Sequence, residues 1–568
     1  MLCSDLKYIK ITLHELCVLL VIAGAFGLRV FLAREYWPLP NSDEATIGVM
    51  AIHIQHGERP IFFYGQNYMG SLEAYIAAML FYPFGITIFA LRLGLIIIYI
   101  LFLASMYLLT RTLYSKNVAL FTVLILSIGS NAILSRQLSA IGGYTETLLF
   151  SAQAFLFAAW LALSPPGGPL KRRLWRLVGF GAWGLVVGLG VWSDLLIVPF
   201  AMCSLCVLLL FCWRELARGA IIPLVICLVI GALPLISYNV GPKDPGQDSW
   251  SVLESQQGQL PQSFDDLKFR VKQTVTFSLP VITGSPFCHR AEYTGLLLLG
   301  FETNSPDTRR CLTIDRGWSV SYLSLFFISI CTAAFVLSKR IYAARSRIGI
   351  VEERSSITRN TIQLTLLASA ALTLVLFIRS QAMFQFPSVY SRYMIGLWVA
   401  TPALLWPLWM GARATRSMLS LSRQVLSLVR VSICQGLLFL IMVIFLFGTL
   451  KTVKEVPAAR IAERQEQGLI NTLLKVHITH IYSDYWVCDR IEFQSLERIT
   501  CGSLSHELSP SSFNRYEPYY STVSHDPNSS YMFPPGLGFE PQIEKRLKQQ
   551  GRRYRTFTVD GYIVYQPM

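Results

Sequence analysis

The chain has 568 residues and a mean hydropathy of +0.47. Apolar residues make up 53% and charged residues only 15%, against about 25% charge in an ordinary soluble domain, which excludes a soluble enzyme and points to a membrane-embedded chain. The net charge of +15 does not mark a nucleic-acid binder. The basic residues lie in short loops between apolar runs, where they face the cytoplasm beside anionic lipid.

About twenty apolar residues cross the hydrocarbon core as one helix. In chain order this predicts spans near residues 12–33, 86–110, 118–135, 144–163, 177–192, 195–212, 219–238, 318–338, 360–378, 393–410 and 431–449. The first is too long for a signal-peptide core and has no small-residue cleavage site, so it is read as a retained span. Residues 71–85 form a shorter apolar helix, interfacial or re-entrant. The fold class is therefore an α-helical polytopic membrane protein with about eleven transmembrane helices.

The loops sort by charge. One side holds Arg111 and Lys116, then Lys171, Arg172, Arg173 and Arg176, then Arg214 and Arg218. Lys339, Arg340, Arg345, Arg347, Arg354 and Arg359 follow, and then Arg413, Arg416, Arg423 and Arg430. Short loops on the other side hold only Arg136, Arg379 and Arg392. The rich side is cytoplasmic. Three segments then lie outside: a first loop at 34–85, a long loop at 239–317, and the tail 450–568. The chain divides into a transmembrane domain, 1–449, and an extracytoplasmic domain, 450–568.

Eight of the twelve cysteines fall in or near spans or the inner face, Cys3, Cys203 and Cys206 among them. The Cys203–Cys206 spacing lies inside an apolar run and reads as small buried hydrophobes. The other four form two local pairs outside, Cys288 with Cys311 and Cys488 with Cys501. An oxidising compartment allows both pairs to close. The tail mixes strand-like runs (His480–Tyr485, Arg555–Val559, Tyr562–Tyr565) with helical Gln542–Gln549. Turn clusters at Ser509–Ser512 and Pro534–Gly538 separate them. It reads as a small α/β domain.

The first outer loop is the most informative stretch. Pro38 and Pro40 break the preceding helix, and Asn41 or Ser42 can cap a new one. From Asp43 to His56 the spacing is helical, with Ile47, Met50, Ala51 and Ile54 on one face and Gly57 as terminator. Such a helix belongs in the membrane interface. Asp43 and Glu44 fall in its first turn, where the positive helix end favours carboxylates. Ordinary first-turn duty explains such a pair on most helices. Here it sits at membrane level, beside a loop rich in glycine and aromatics, where a carboxylate without a role is costly. From there a carboxylate can take a proton from an acceptor hydroxyl while a lipid-linked donor enters from the bilayer.

Several motifs here carry a family likeness. They are the Asp43–Glu44 pair, Gly57-x-x-Pro60, Tyr64-Gly65-Gln66-x-Tyr68-Met69-Gly70-Ser71-x-Glu73-Ala74-Tyr75, Phe84-Gly85 and Arg92. Together they resemble the bacterial GT-C glycosyltransferases, in particular the family 39 or RgtA/B/C/D-like group. That group is related to protein O-mannosyltransferases and to the lipid A aminoarabinose transferase. Ser391-Arg392-Tyr393-Met394 is similar to the group's Arg-Tyr element, and Tyr482-Ser483-Asp484-Tyr485-Trp486 resembles part of its small outer domain. The resemblance is strongest over residues 38–92 and weak over 239–317.

The resemblance implies an inverting transferase of the bacterial cell membrane with its site facing the periplasm or exterior. A polyprenyl-phosphate sugar would be the donor and a hydroxyl on lipid, glycan or protein the acceptor. Asp43 matches the general base, and Glu44 would position the acceptor or tune Asp43. Adjacent carboxylates can couple in their titration.

An anionic leaving group needs cationic or amide partners. Arg392 is the first candidate, with Tyr390 and Tyr393 beside it. Arg92, Arg136 and Arg379 follow, although snorkelling explains each of these arginines singly. Asp194, in a short outer turn, and Glu146, near the outer end of a span, are binding or capping candidates. Tyr64, Gln66, Tyr68 and Glu73 of the first loop complete the donor-binding set that the resemblance suggests. His53 and His56 lack a third ligand, and no cluster demands a divalent metal, although some relatives in the wider superfamily use one. Phe264, Leu267, Val271, Val275 and Leu279 keep helical spacing, as a second interfacial helix would.

Two other functions compete. A flippase or transporter of lipid-linked glycans would carry ionisable residues deep in its spans and interrupted helices in paired halves. Here the notable carboxylates lie at the outer interface. A non-catalytic scaffold would leave the Asp–Glu helix without a purpose. The topology has a direct check. A single cysteine introduced as Arg172→Cys is expected to react with an impermeant maleimide only after the membrane is opened, and labelling in intact cells would overturn the orientation.

Overall fold

The structure, a computed structural model, describes residues 12–167, 169–242, 247–257, 261–288, 306–346, 351–381, 386–413, 421–536 and 538–568. Cys3, Arg347 and Arg416, noted above, lie outside these. Among the described residues, nine helical stretches are long and apolar enough to cross a membrane.

The chain enters through α1 (Leu13–Arg34), whose Thr12 cap and Glu15 form a reciprocal capping box. Three elements of the first loop follow: α2 (Ser42–Gln55), a turn-rich stretch, and α3 (Leu72–Phe84). Then come α4 (Ile88–Leu113), α5 (Lys116–Ser127) and α6 (Asn131–Leu138). The last two are bent by 86° across a short break. Arg29, fully buried in α1, closes the corner: its guanidinium donates to the Gln137 amide at 3.0 Å and to the Ser127 carbonyl at 3.1 Å, and it lies 4.3 Å from the Tyr99 ring centroid.

Helices α7 (Tyr144–Leu163), α8 (Leu170–Ser193), α9 (Val198–Glu215) and α10 (Ile221–Gly231) form the next layer. By composition, Leu195–Gly231 reads as one 37-residue stretch. Its neighbours show that it doubles back. Glu215 pairs with Arg176 near the start of α8. Pro223 then lies beside Gly181, Leu224 beside Gly184, and Leu228 and Ala232 beside Gly188. The α10 helix therefore climbs α8 in parallel, and the reversal falls at Gly219, whose φ of +109° suits glycine. Counting this stretch as two and the bent pair as one gives about the eleven crossings that hydropathy predicts.

The membrane domain continues through α11 (Leu233–Val240), α12 (Ser249–Gln257), α13 (Phe264–Gln273) and α14 (Leu279–Thr283). The apolar side chains Phe264 and Val271 of α13 are exposed, while Arg270 is buried against Asp266 and the carbonyls of Arg379 and Ser380. Two long helices, α15 (Pro306–Ser346) and α16 (Val351–Arg379), precede a 3₁₀ segment, Tyr390–Ala400, that runs into α17 (Thr401–Gly411). The final span belongs to α18 (Leu421–Lys475), a helix of 55 residues. Its apolar side chains Phe439, Leu440 and Phe447 are exposed, as a lipid-facing helix requires.

The same helix passes residues 449–450 without a break, and its last turns place Leu469, Ile470 and Leu473 in the core of the C-terminal unit. That unit is a five-stranded sheet in the order β2-β1-β3-β5-β4. Its strands are β1 (His480–Ser483), β2 (Thr500–Ser503), β3 (Ser530–Phe533), β4 (Tyr554–Val559) and β5 (Tyr562–Pro567). Strand β1 is parallel to β2 and β3, while β3–β5 and β5–β4 are antiparallel. Asp560–Gly561, both at positive φ, make the two-residue turn of the last hairpin. Three helices pack on the sheet: α19 (Tyr485–Gln494), α20 (Glu517–His525) and α21 (Glu540–Gln549). Cys488 is bridged to Cys501, tying α19 to β2, and Cys288 is bridged to Cys311.

The α8–α10 contact is testable. A Cβ at Gly184 would lie 2.1 Å from the Leu224 carbonyl oxygen, a backbone atom that cannot swing aside. Gly184→Val is expected to cost at least about 1–3 kcal/mol, read as loss of a monodisperse peak in detergent size-exclusion chromatography; a wild-type profile would contradict the close helix pair.

Candidate active site

The site starts from three consecutive residues of α2. Asn41 caps the helix, its side chain accepting from Glu44 N at 2.9 Å. Successive residues on a helix point about 100° apart, so Ser42, Asp43 and Glu44 reach three different parts of the protein. Ser42 Oγ donates to the Tyr485 carbonyl at 2.8 Å. Glu44 takes Arg92 on α4 with both oxygens, from Nε at 2.8 Å and from Nη2 at 2.7 Å; both side chains are fully buried. Arg92 also donates to the Pro38 carbonyl at 2.7 Å, which fixes the chain just before α2. Asp43 lies between these two anchors, 15% exposed, and faces the site.

Two arginines and a tyrosine converge on Asp43. Tyr485 Oη donates to Oδ1 at 2.5 Å. Burial and the Asp43 carboxylate push the Tyr485 hydroxyl well above the usual phenol range, which keeps its proton in place. Arg515 Nη2 stands 3.6 Å from the same oxygen, and Arg392 Nη1 stands 3.7 Å from Oδ2. Arg392 comes from the 3₁₀ segment, where residues three apart lie one above another. Tyr390, Tyr393 and Gly396 fall in one such row beside Arg392, and Gly396 leaves room for Phe200. Arg392 packs on the rings of Tyr144, Tyr390 and Tyr393 at 5.4–6.0 Å from their centroids. Its Nε is buried with no hydrogen-bond partner among the described residues.

Helix α19 delivers Tyr485. It lies parallel to α2: Ser42 pairs with Tyr485, and one turn later Thr46 Oγ1 donates to Asp489. Burial pushes the Asp489 carboxyl up to about 7. Phe493 fills the space over Gly48, where a Cβ would come within 2.5 Å of its ring. The α2 helix is accordingly buried nearly all round, with α3 on one flank and α19 on another, more enclosed than its apolar spacing alone suggests.

Most of the residues singled out from the sequence come near this centre. In the orientation that satisfies its amide, Gln66 accepts from Arg515 Nη1 at 3.0 Å and Nη2 at 3.2 Å. Tyr68 contacts the Gln66 amide. Asp194 and Arg392 interact electrostatically, and Asp194 Oδ1 also caps the following turn by accepting from Leu196 N. Glu146 is fully buried and faces Glu73, whose two oxygens accept from Gly142 N at 3.2 Å and Gly143 N at 3.1 Å. Both glycines hold positive φ, and neither has room for a Cβ beside Met69 and the Ser193–Asp194 turn.

Tyr64 is placed differently. With Glu58 and His53 it joins a network to Glu497 and Tyr519, a second seam between the first loop and the C-terminal unit. The hydrogen bond with His53 holds Glu497 below the ordinary carboxylate range. His56 is exposed and interacts electrostatically with Glu497 of that network. Arg136 donates to the Val389 carbonyl, and Arg379 is exposed. One trio among the described residues, Cys288, Cys311 and Asp315, gathers three potential metal ligands, but its two sulfurs are bonded to each other.

Sequence reasoning passed over Arg515, Asp489 and the role of Tyr485. Arg515 lies in a loop between Phe513 and Tyr516, and a cation within an aromatic run was the available signal. Tyr485 follows Asp484, the N-cap of α19, so a helix start was legible there but not what it faces.

No family model matches the sequence, and no curated protein matches it. Solved structures do. ArnT from Cupriavidus metallidurans bound to undecaprenyl phosphate is similar over 97% of this chain and 97% of its own, with 12% identity and a TM-score of 0.55. The Archaeoglobus fulgidus oligosaccharyltransferase in its apo form is similar over 92% of this chain and 70% of its own, with 14% identity and a TM-score of 0.49. At this identity the likeness to ArnT is one of fold: the chain has a GT-C fold, a polytopic helical membrane domain with a small C-terminal domain.

The Glu44–Arg92 pair has a stability signature. Removing one member of a buried pair strands the other charge, at about 3–5 kcal/mol, whereas an apolar replacement of both is often near neutral. Glu44→Leu is expected to lower the melting temperature in detergent strongly. Combining it with Arg92→Met should recover most of that loss, and a double variant less stable than Glu44→Leu would contradict the pairing.

Proposed function

We propose that this chain is an inverting glycosyltransferase that moves a sugar from a polyprenyl-phosphate donor to a hydroxyl acceptor. The observation that carries the reading is the pairing, on a GT-C fold, of the largely buried Asp43 with Arg392, which stands 3.7 Å away and keeps an unsatisfied Nε. A buried guanidinium donor without a protein partner leaves room for an acceptor, and beside Asp43 the phosphate of a lipid-linked sugar is an acceptor that matches its charge. The undecaprenyl phosphate held by ArnT supports the same donor class.

Asp43 is the general base. The acceptor oxygen attacks the anomeric carbon, and its proton passes to the Asp43 carboxylate. The bond from that carbon to the phosphate oxygen breaks, polyprenyl phosphate leaves with the electron pair, and the anomeric centre inverts. Arg392 stabilises the charge that develops on the leaving phosphate, while Tyr144, Tyr390 and Tyr393 wall its guanidinium. Asp194, Gln66 and Tyr68 line the same centre. Glu44 and Arg92 act at one remove, by holding the first turn of α2. The Glu73–Glu146 pair does the same for the Gly142–Gly143 turn. The acceptor stands on the side away from the cytoplasm, with the C-terminal domain.

Asp43→Asn is expected to lower transfer from a radiolabelled polyprenyl-phosphate sugar by about a hundred- to ten-thousandfold, with an unchanged size-exclusion profile. Full turnover by this variant would overturn the assignment of the base.

A further inference from the structure

The two oxygens of Asp43 are held unequally. Oδ1 accepts from Tyr485 Oη at 2.5 Å and has Arg515 Nη2 at 3.6 Å. Those two residues are themselves joined, Arg515 Nε donating to Tyr485 Oη at 3.3 Å. Oδ2 has no hydrogen-bond donor among the described residues, and Arg392 Nη1 stands 3.7 Å from it. The Oδ1 partners come from the C-terminal domain; Arg392 comes from the membrane domain.

The C-terminal partners are firmly placed. Tyr485 is buried at the first turn of α19 and stacks on Phe513. Its backbone carbonyl is tied to Ser42, and Cys488 in the same turn is bonded to Cys501 of β2. The Arg515 guanidinium lies 5.1 Å from the ring centroids of both Phe63 and Tyr485, and the Gln66 amide takes two of its donors. With its donors engaged by Gln66 and Tyr485, Arg515 is less available to a phosphate than Arg392, whose Nε is unpartnered.

We propose that Tyr485 and Arg515 are positioning residues for Asp43: they lock Oδ1 and leave Oδ2, on the Arg392 side, as the oxygen that takes the acceptor's proton. This rests on Asp43 being the base. It assigns the C-terminal domain a part in the chemistry of the membrane domain, so that turnover requires α19 to be docked along α2. It also separates the two arginines, Arg392 serving the leaving phosphate and Arg515 serving the base.

The test compares four variants in the full-length protein: Tyr485→Phe, Arg515→Lys, Arg392→Ala and Asp43→Asn. Tyr485→Phe keeps the ring and its stacking but removes the donor. A hydrogen bond to a charged group is worth about ten- to a hundredfold, so kcat should fall by that factor while KM for the lipid donor stays within about threefold. Arg515→Lys should lower kcat in the same way, again with KM for the lipid donor little changed, and it carries the test if Tyr485→Phe does not fold. Binding of undecaprenyl phosphate, which needs no acceptor, should weaken about tenfold or more in Arg392→Ala and stay at the wild-type level in Tyr485→Phe and Arg515→Lys.

An unchanged kcat for Tyr485→Phe, with Asp43→Asn inactive, overturns the positioning role alone. So does loss of undecaprenyl phosphate binding in Arg515→Lys equal to that in Arg392→Ala. Retained turnover by Asp43→Asn overturns the base itself.

Discussion

The hydrogen bond from Tyr485 Oη to Asp43 Oδ1 joins residues 442 positions apart in the chain. It exists because two helices lie side by side in parallel, α2 from the first loop and α19 from the C-terminal domain. Ser42 meets the Tyr485 backbone, Thr46 meets Asp489, and Phe493 closes over Gly48. Both helices begin at the site, so the positive ends of both point toward Asp43. The rest of the structure is arranged around keeping those two helix starts together.

The membrane domain holds its half of the arrangement by burying charge in pairs. Glu44 and Arg92 are out of solvent and share two hydrogen bonds, although Arg92 Nη1 has no hydrogen-bond partner among the described residues. A pair of this kind contributes little net stability, but it is intolerant of being half broken. That fixes the rotation of α2 about its axis and hence the direction of Asp43. The Gly142–Gly143 turn, receiving Glu73, does similar work for the start of α7, where Tyr144 supports Arg392. The C-terminal domain holds its half by covalent and apolar means: the Cys488–Cys501 bridge, the Phe493 contact, and the last turns of α18 in the sheet core. A helix that is both the last span and part of that core transmits the position of the membrane domain to the domain above it.

The arginines show how similar residues take different roles from their surroundings. Arg29 and Arg92 are fully buried and bound by partners on α6 and α2, so they are structural. Arg515 is engaged by an amide, a phenol and aromatic faces. Arg392 alone of these four combines aromatic walls with a buried guanidinium nitrogen lacking a partner and a carboxylate within 4 Å. Charge count and sequence position do not separate these cases; the groups that surround each guanidinium do.

The spans were legible in the sequence because burial in lipid is a local property. An apolar run of about twenty residues declares itself without reference to the rest of the chain. Helix α2 was legible for the same reason, from its Pro stops, its Asn41 cap and its Gly57 terminator. So were the Asp560–Gly561 hairpin strands, which carry β-rich runs around a turn. Strands β2 and β3 were not: four residues long and almost wholly buried, they lack the alternation that marks a half-exposed strand. The doubling back at Gly219 was legible as two spans, but its parallel contact with α8 was not. By itself the sequence determined that Asp43 stands at a helix start just after the first span. Only the tertiary structure decided that Glu44 belongs to Arg92, and that Tyr485 and Arg515 reach Asp43. Periodicity and capping report on neighbours within a few residues, whereas those contacts depend on how distant helices dock.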